Sequence, residues 1–238
     1  MKSIRSALLW SLGGIYFFGL FFIVASALLF FSPRTIYPAV RILARLQLLV
    51  MGLRLNIHGH QNFDPRRSYL IMGNHESLFD LLAIPAAIPM HVVAIEAAYH
   101  FSLPLWGYLV KKWGVIPIHR RDLLKAIASL DQAASVLQSG ISIVVLPEGH
   151  RTLTGKIGEF KKGPFHLALA ARADILPFAL SGLFEYCRKQ GWHLIPQTAR
   201  VIFGEPIPYD TFKGDPVEEI QRKVRARIIS LKQTADNL

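Results

Sequence analysis

The longest uncharged segment of the chain, residues 6–33, constrains its fold more than any other feature. These 28 residues contain no Asp, Glu, Lys or Arg, and most are Leu, Ile, Val, Phe, Ala or Gly. As one α-helix they span about 42 Å, which exceeds the roughly 30 Å hydrocarbon core of a bilayer. A helix buried in a soluble core rarely stays uncharged on every face for this length, and a cleaved signal peptide usually has a shorter apolar core. The segment therefore predicts a retained membrane helix.

Basic residues flank this helix on both sides. Lys2 and Arg5 precede it, and Arg34, Arg41 and Arg45 follow it. Because the asymmetry is small, the positive-inside rule gives little information on orientation. Both a full crossing and a re-entrant or monotopic anchor stay open.

Segment 35–52 is predicted to be an amphipathic helix at the membrane interface. Arg41 and Arg45 lie opposite an apolar helical face. That face consists of Ala39, Leu43, Leu46 and Val50. Residues 1–52 are thus interpreted as a membrane anchor and residues 53–238 as a separate catalytic domain.

Composition excludes several classes of protein. Of the 238 residues 52% are hydrophobic, which rules out intrinsic disorder, and the single cysteine, Cys187, rules out a disulfide scaffold. The formal net charge is +11, and only Lys2 and Arg5 of the basic residues precede residue 34. An apolar and basic chain suits a phospholipid surface better than a nucleic acid, because no basic stretch is interleaved with aromatic residues. We expect no nucleic-acid partner.

Strand-like and helix-like patterns alternate after residue 53. The predicted strands are 68–72, 91–95, 115–119, 141–146 and 175–180. The predicted helices are 78–88, 103–113, 122–138 and 164–173, and a last helix that starts with Asp215 as its N-cap and ends near residue 232. This alternation predicts an α/β fold with a mostly parallel sheet covered by helices, preceded by the N-terminal membrane-anchoring helix pair.

Polar clusters follow three of the predicted strands. Residues 73–80 read GNHESLFD, residues 119–121 read HRR, and residues 147–152 read PEGHRT. Because open parallel sheets bind ligands beyond the carboxyl ends of their strands, we expect these clusters to meet at one edge.

His75 and Asp80 are the candidate catalytic pair. If His75 lies in the loop and Asp80 in the first turn of the next helix, the carboxylate can fix the imidazole tautomer. The imidazole then removes a proton from an alcohol. Residues 77–80 equally fit a capping box that only starts a helix. No protein nucleophile is obvious nearby, so direct attack by a substrate hydroxyl on a bound acyl donor is the simplest interpretation.

Two arginines are candidates for binding a phosphate. Arg151 follows Gly149, whose backbone can approach a phosphate closely, and Arg120 is a second candidate cation. The alternative for both is a solvated surface arginine, which is the commoner case.

At these residues the sequence resembles the lysophosphatidic acid acyltransferases, the bacterial 1-acyl-sn-glycerol-3-phosphate acyltransferase family. Four blocks match in order over residues 70–180. They are the His-X4-Asp spacing of 75–80, GVIPIHR at 114–120, PEGHR at 147–151 and ILPF at 175–178. The resemblance implies that His75 and Asp80 form the catalytic dyad. It also implies that the acceptor is bound by Arg120, Glu148, Gly149 and Arg151.

Three positions depart from the family's pattern. His119 stands where an Asp is usual, His150 stands where a Thr is usual, and Glu96 lies in a region where a lysine is common. These departures leave the acyl transfer chemistry intact, but they bear on which headgroup the acceptor carries.

The resemblance implies a membrane enzyme that transfers an acyl chain from acyl-CoA or acyl-carrier protein to a lysophospholipid. The most direct acceptor is 1-acyl-sn-glycerol-3-phosphate, which gives phosphatidic acid. Alternatives are glycerol-3-phosphate, another lyso-lipid, or a noncatalytic membrane protein that only binds lipid. We expect the catalytic domain to face the cytoplasm from the inner, cytoplasmic membrane, and we expect no metal or redox cofactor.

Overall fold

A mostly parallel sheet organises the described part of the chain, which comprises residues 2–119 and 122–238 of a computed structural model. Its seven strands are β1 Leu53–His58, β2 Leu70–Met72, β3 Val92–Ala97, β4 Ile116–Ile118, β5 Ser142–Val145, β6 Ile175–Ser181 and β7 Gln197–Phe203. The order across the sheet is β1-β7-β6-β2-β5-β3-β4, and only the β6–β7 pair is antiparallel. Strands β2 to β6 therefore all end at the same edge.

The apolar sequences of β2, β5 and β6 explain why these three strands lie in the middle of the sheet. Every residue of β2, β5 and β6 is buried, and Leu70 of β2 pairs with Ile143 on one side and Ile175 on the other. Strands that are covered on both faces need nearly continuous apolar sequence, which these segments have. The central position of β2 places the loop that follows it between the loops that follow β5 and β6.

Helices cover both faces of the sheet. They are α1 Lys2–Ala27, α2 Pro33–Val50, α3 Asp80–Ala87, α4 Trp106–Trp113, α5 Leu123–Gln138, α6 Gly163–Ala171, α7 Leu183–Tyr186 and α8 Val217–Asp236. Helices α2, α3 and α7 pack with Ile71 and Val144 on one face. Helices α5, α6 and α8 pack with Leu70 and Ile143 on the other face. Neighbouring residues of one strand thus serve different cores, as the two-residue strand period requires.

The predicted strands correspond to β2 to β6, so the predicted fold class is confirmed. Strands β1 and β7, which form one side of the sheet, were not predicted. Asp215 is not the N-cap of the last helix, because that position belongs to Pro216 and the Asp215 carboxylate binds Lys223 Nζ at 2.7 Å instead.

Helices α1 and α2 form an antiparallel hairpin. Tyr16 donates its hydroxyl hydrogen to the Leu43 carbonyl at 3.2 Å, and Gln47 donates to the Gly13 carbonyl at 3.4 Å. Within the described residues, α1 is the one helix long and apolar enough to cross a membrane, and most of it is exposed. Its exposed large apolar side chains are Ile4, Leu8, Leu12, Ile15, Phe18, Phe22 and Ile23.

Helix α2 has two apolar faces. Tyr37, Ala44 and Leu48 are buried against the core that includes α3 and β1. The outer face is exposed and includes Ala39, Ile42, Leu46, Leu49 and Val50, three of which belong to the predicted interfacial face. The division into residues 1–52 and 53–238, and the anchoring role of the helix pair, stay predictions.

Candidate active site

The segment after β2, residues 73–79, continues the sheet by means of a side chain. The Asn74 carboxamide oxygen accepts from the Leu180 amide at 2.7 Å, and its nitrogen donates to the Leu180 carbonyl at 3.0 Å. Asn74 thus bonds to β6 as a backbone unit of a paired strand does. These two hydrogen bonds fix the position of the residue that precedes His75.

His75 and Asp80 meet as the sequence predicts. His75 Nδ1 lies 2.6 Å from Asp80 Oδ2. The Asp80 side chain is 2% exposed and the His75 side chain 25% exposed. With the carboxylate accepting the Nδ1 hydrogen, Nε2 keeps its lone pair and is the basic nitrogen. This is the arrangement of a general base and the group that orients it.

Asp80 also holds the turn that leads into α3. Its Oδ2 accepts from the Glu76 amide at 2.8 Å and its Oδ1 from the Ser77 amide at 3.0 Å. Burial raises the pKa of Asp80 above its usual value, against the hydrogen bonds of His75 and the two amides, which lower it. The Asp80 carboxylate thus makes its half of the predicted capping box, whereas the Ser77 hydroxyl donates to the Cys187 carbonyl instead. The catalytic role of Asp80 stays a prediction.

Glu76, between the two dyad residues in sequence, is a site residue that sequence reasoning missed. It is 1% exposed, and its Oε2 accepts from the amides of Leu183 at 3.0 Å and Phe184 at 3.1 Å. Its Oε1 accepts from Lys232 Nζ of helix α8 at 2.7 Å. Glu76 therefore ties segment 73–79 to the start of α7 and to the last helix.

Lys232 completes this buried network. Its Nζ also lies 3.2 Å from Asp236 Oδ1, which in turn accepts from the Ser181 hydroxyl at 2.6 Å. Burial raises the pKa of Glu76 to about 7, although the charge and hydrogen bond of Lys232 lower it. Burial lowers the pKa of Lys232, but the attraction of Glu76 and Asp236 outweighs burial and leaves that pKa raised.

Glu148 joins the loop after β5 to the dyad segment. Its Oε1 accepts from the His75 amide and its Oε2 from the Gly158 amide, both at 2.8 Å, and the residue is 2% exposed. The Thr152 amide donates to the His75 carbonyl at 2.9 Å. Both backbone polar groups of His75 are thus bonded to the segment 148–158. The acceptor-binding role that the resemblance implies for Glu148 stays a prediction, and the observed contacts position His75.

The remaining predicted binding residues have different surroundings. Gly149 has φ +74°, which favours glycine, and its amide donates to the Leu146 carbonyl at 2.9 Å. Arg151 is half-buried, and its charge acts on Cys187. Arg120 lies outside the described residues. Acceptor binding by Gly149, Arg151 and Arg120 stays a prediction.

Two side chains near His75 carry atoms that can act as nucleophiles, Ser77 and Cys187, and both are buried. Ser77 is buried and donates its hydroxyl hydrogen to the Cys187 carbonyl at 2.9 Å. Burial raises the pKa of the Cys187 thiol, against the charge of Arg151. Neither is the activated nucleophile that a covalent acyl intermediate needs.

The comparison with protein-family models decides the class of this protein. The model described as Acyltransferase matches residues 54–181, which include every residue of the dyad segment and of the loop after β5 up to Gly158. The chain belongs to the acyltransferase family. The resemblance and the acyltransferase activity inferred from the sequence are confirmed, and the noncatalytic lipid-binding alternative is set aside.

Individual relatives of the acyltransferase agree with this assignment. The chain is 31% identical over 196 residues to the 1-acyl-sn-glycerol-3-phosphate acyltransferase alpha of Ovis aries, covering 79% of this chain and 67% of that protein. It is 29% identical over 147 residues to the 1-acyl-sn-glycerol-3-phosphate acyltransferase of Borreliella burgdorferi, covering 62% and 59% of the two chains. The crystal structure of the 1-acyl-sn-glycerophosphate (LPA) acyltransferase PlsC of Thermotoga maritima has the same fold, with a TM-score of 0.81, 19% identity and coverage of 96% and 93%.

The contacts of Glu148 predict a loss of rate without a loss of acceptor affinity. Glu148→Gln keeps the size of the side chain but turns an NH₂ group toward one of the two amides. We expect kcat to fall about 10²-fold because His75 shifts, while the KM for the acceptor stays unchanged. Steady-state kinetics measure both, with the exposed neighbour Glu159→Gln as control. A raised acceptor KM at unchanged kcat would assign Glu148 to substrate binding instead.

The Glu76–Lys232 pair predicts a stability loss that depends on pH. Lys232→Met leaves the Glu76 carboxyl buried without its cation, so the folded-state pKa rises further above the unfolded value. When the pKa of a carboxyl is higher in the folded than in the unfolded state, the protein loses stability as pH rises from the unfolded-state pKa to the folded-state pKa. We therefore expect a small cost at pH 6 that grows above about pH 7, toward about 3–5 kcal/mol for a broken buried pair.

Denaturant unfolding at pH 6 and pH 9 checks this expectation. The matched control is the double variant Glu76→Gln with Lys232→Met, which removes the carboxylate as well. Its stability relative to the wild type should not share the steep loss above pH 7. Equal losses at both pH values in the single variant would contradict a charged Glu76 at neutral pH and above.

Proposed function

We propose that the protein transfers an acyl chain from acyl-CoA or acyl-carrier protein to the free hydroxyl of a lysophospholipid. The observation that carries the proposal is the contact of 2.6 Å between His75 Nδ1 and the buried Asp80 carboxylate. The names of the relatives from Ovis aries and Borreliella burgdorferi support 1-acyl-sn-glycerol-3-phosphate as the acceptor and phosphatidic acid as the product.

The proposed reaction is one addition and one elimination. His75 Nε2 takes the hydroxyl proton of the acceptor as its oxygen attacks the thioester carbonyl carbon. The carbon–sulfur bond then breaks, and the thiolate receives the proton from the imidazolium. Asp80 stabilises the imidazolium during this exchange. Because each proton has a donor and an acceptor among His75 and the substrates, the proposed reaction needs no metal or redox cofactor.

Binding of the acceptor phosphate is proposed for Arg151 and Arg120. Arg151 lies between Glu148 and Thr152 in the loop that holds His75, so a phosphate bound there lies near the dyad. Gly149 and Glu148 give that loop its shape. An arginine binds a phosphate through two parallel hydrogen bonds and thereby fixes the acceptor's orientation, which makes the attack effectively unimolecular.

The proposed location is the inner, cytoplasmic membrane, with the catalytic domain on the cytoplasmic side. The exposed apolar surface of α1 and the outer face of α2 supply the apolar contact with lipid. The excess of basic residues supplies the attraction to anionic headgroups. A lysophospholipid can then reach the site from the bilayer, and a water-soluble donor can reach it from the cytoplasm.

A second candidate acceptor is a lyso-lipid with a different headgroup. The Glu96 carboxylate at the end of β3 accepts from Trp106 Nε1 at 3.4 Å and lies 3.0 Å from His100 Nδ1. An acidic group at this edge, where the family commonly has lysine, favours a headgroup that is less anionic than a phosphate monoester. Rates with lysophosphatidic acid, glycerol-3-phosphate and lysophosphatidylethanolamine, at one acyl donor, distinguish the candidates.

His75→Ala should remove acyl transfer and keep membrane association. The general base alone contributes about 10²- to 10⁴-fold in rate, so we expect activity to fall at least that far. Acyl transfer to lysophosphatidic acid by purified protein and sedimentation with lipid vesicles measure the two properties. The exposed His166→Ala on α6 is the matched control. Full activity of His75→Ala would refute the proposed mechanism.

A further inference from the structure

A cavity of about 280 Å³ lies where the loops after β5 and β6 meet. It is lined by Leu153, Phe184, Arg188, Lys189, Gln190 and Gly191. The roles assigned above to His75, Asp80 and the acceptor-binding residues use none of these side chains. A cavity beside a catalytic segment, with a mixed apolar and cationic lining, is a candidate substrate site.

Both walls of the cavity are bonded to the catalytic segment. Phe184 donates its amide hydrogen to Glu76, and Thr152, which precedes Leu153, donates its amide hydrogen to the His75 carbonyl. The two walls also contact each other, since a Cβ at Gly155 would lie 3.0 Å from the Phe184 ring. The cavity is therefore fixed relative to His75 by direct hydrogen bonds.

The lining suits a ligand with both phosphate and apolar parts. The Arg188 guanidinium lies over the Phe184 ring, 5.4 Å from its centroid, and Lys189 is its neighbour. Both cations are exposed, and neither forms an ion pair with any residue that the structure describes. No acidic side chain lines the cavity. Leu153 and Phe184 supply apolar surface beside these two charges.

The cavity lies beside the N-terminal part of α1. Trp10 donates its indole hydrogen to the Trp192 carbonyl at 2.7 Å, and the Ser3 hydroxyl lies 3.3 Å from His193 Nε2. The chain just after the cavity lining therefore contacts the end of α1 that contains Lys2 and Arg5. The apolar remainder of α1 runs toward Trp106, where Phe17 stacks at 6.5 Å. A lipid acceptor suits the apolar side, and a water-soluble, anionic donor suits the charged side.

We propose that this cavity binds the phosphate-bearing part of the acyl donor, with Arg188 and Lys189 contacting phosphate oxygens. This inference rests on the proposed function, because it assigns the donor's place in the same reaction. Acyl-CoA and acyl-carrier protein share a phosphopantetheine phosphate, and CoA adds further phosphates and an adenine ring. The apolar wall accommodates the pantetheine or adenine part, and the thioester extends toward His75.

The test compares two double variants of the full-length protein. Arg188→Ala with Lys189→Ala removes the cavity cations. Arg222→Ala with Lys223→Ala removes the same number of charges from an exposed pair on α8, whose members bind Glu219 and Asp215. Losing charge-assisted phosphate contacts should raise the KM for palmitoyl-CoA about tenfold relative to the α8 variant. The KM for the acceptor and kcat should stay unchanged.

A second donor, palmitoyl-carrier protein, identifies which phosphate is bound. An equal rise in KM for palmitoyl-CoA and palmitoyl-carrier protein supports contact with the shared phosphopantetheine phosphate. A rise for palmitoyl-CoA alone supports contact with the nucleotide phosphates. An unchanged donor KM, or a raised acceptor KM alone, would overturn the proposal.

A binding measurement keeps this test separate from that of the proposed function. Titration calorimetry with CoA needs no turnover, and its Kd should weaken about tenfold in the cavity variant and not in the α8 variant. Equal Kd values in the two variants would overturn the donor site. Absence of acyl transfer by the wild type with every acceptor would contradict the proposed function and leave the calorimetric result standing.

Discussion

Three buried carboxylates hold the segment after β2, and the rest of the site depends on them. Glu76, Asp80 and Glu148 together accept six backbone amide hydrogens, which come from the start of α7, the segment after β2 and Gly158. They also accept from the side chains of His75 and Asn74 and from the Lys232 ammonium. Burying a carboxylate is costly unless it is hydrogen-bonded or paired. These groups meet that cost by bonding to loop amides. The result is a segment in which His75 has little freedom of position.

The order of the strands makes this arrangement possible. Because β2 lies between β5 and β6, the loops that follow those strands flank His75 on both sides. The loop after β5 contributes Glu148 and Thr152, and the segment after β6 contributes the amides that bind Glu76. A parallel sheet brings such loops to one edge whatever their separation in sequence. The fold thus brings segments that are distant in sequence together around His75 and leaves the His75 ring partly exposed.

The sequence predicts the elements that depend on short, continuous stretches of residues. The apolar runs predicted β2 to β6, and the position of His75 and Asp80 after a strand predicted their contact. Segment β1, LRLNIH, starts with alternating apolar and polar residues, which is a local strand signal. The Glu76–Lys232 pair could not be predicted, because 156 residues separate its members and only the packing of α8 on β6 brings them together. The same holds for Asn74 and Leu180, which pair because the segment after β2 runs beside β6.

The central claim is that Asp80 orients His75 as the general base of acyl transfer. The kcat for transfer to lysophosphatidic acid by Asp80→Asn tests it most directly. Asparagine keeps the shape of the side chain and one amide contact but cannot hold the imidazolium. The account predicts a fall in kcat of about 10²- to 10⁴-fold at an acceptor KM close to that of the wild type. A kcat within about twofold of the wild type in a folded Asp80→Asn protein would contradict it, since an effect that small lies far below the contribution of a general base.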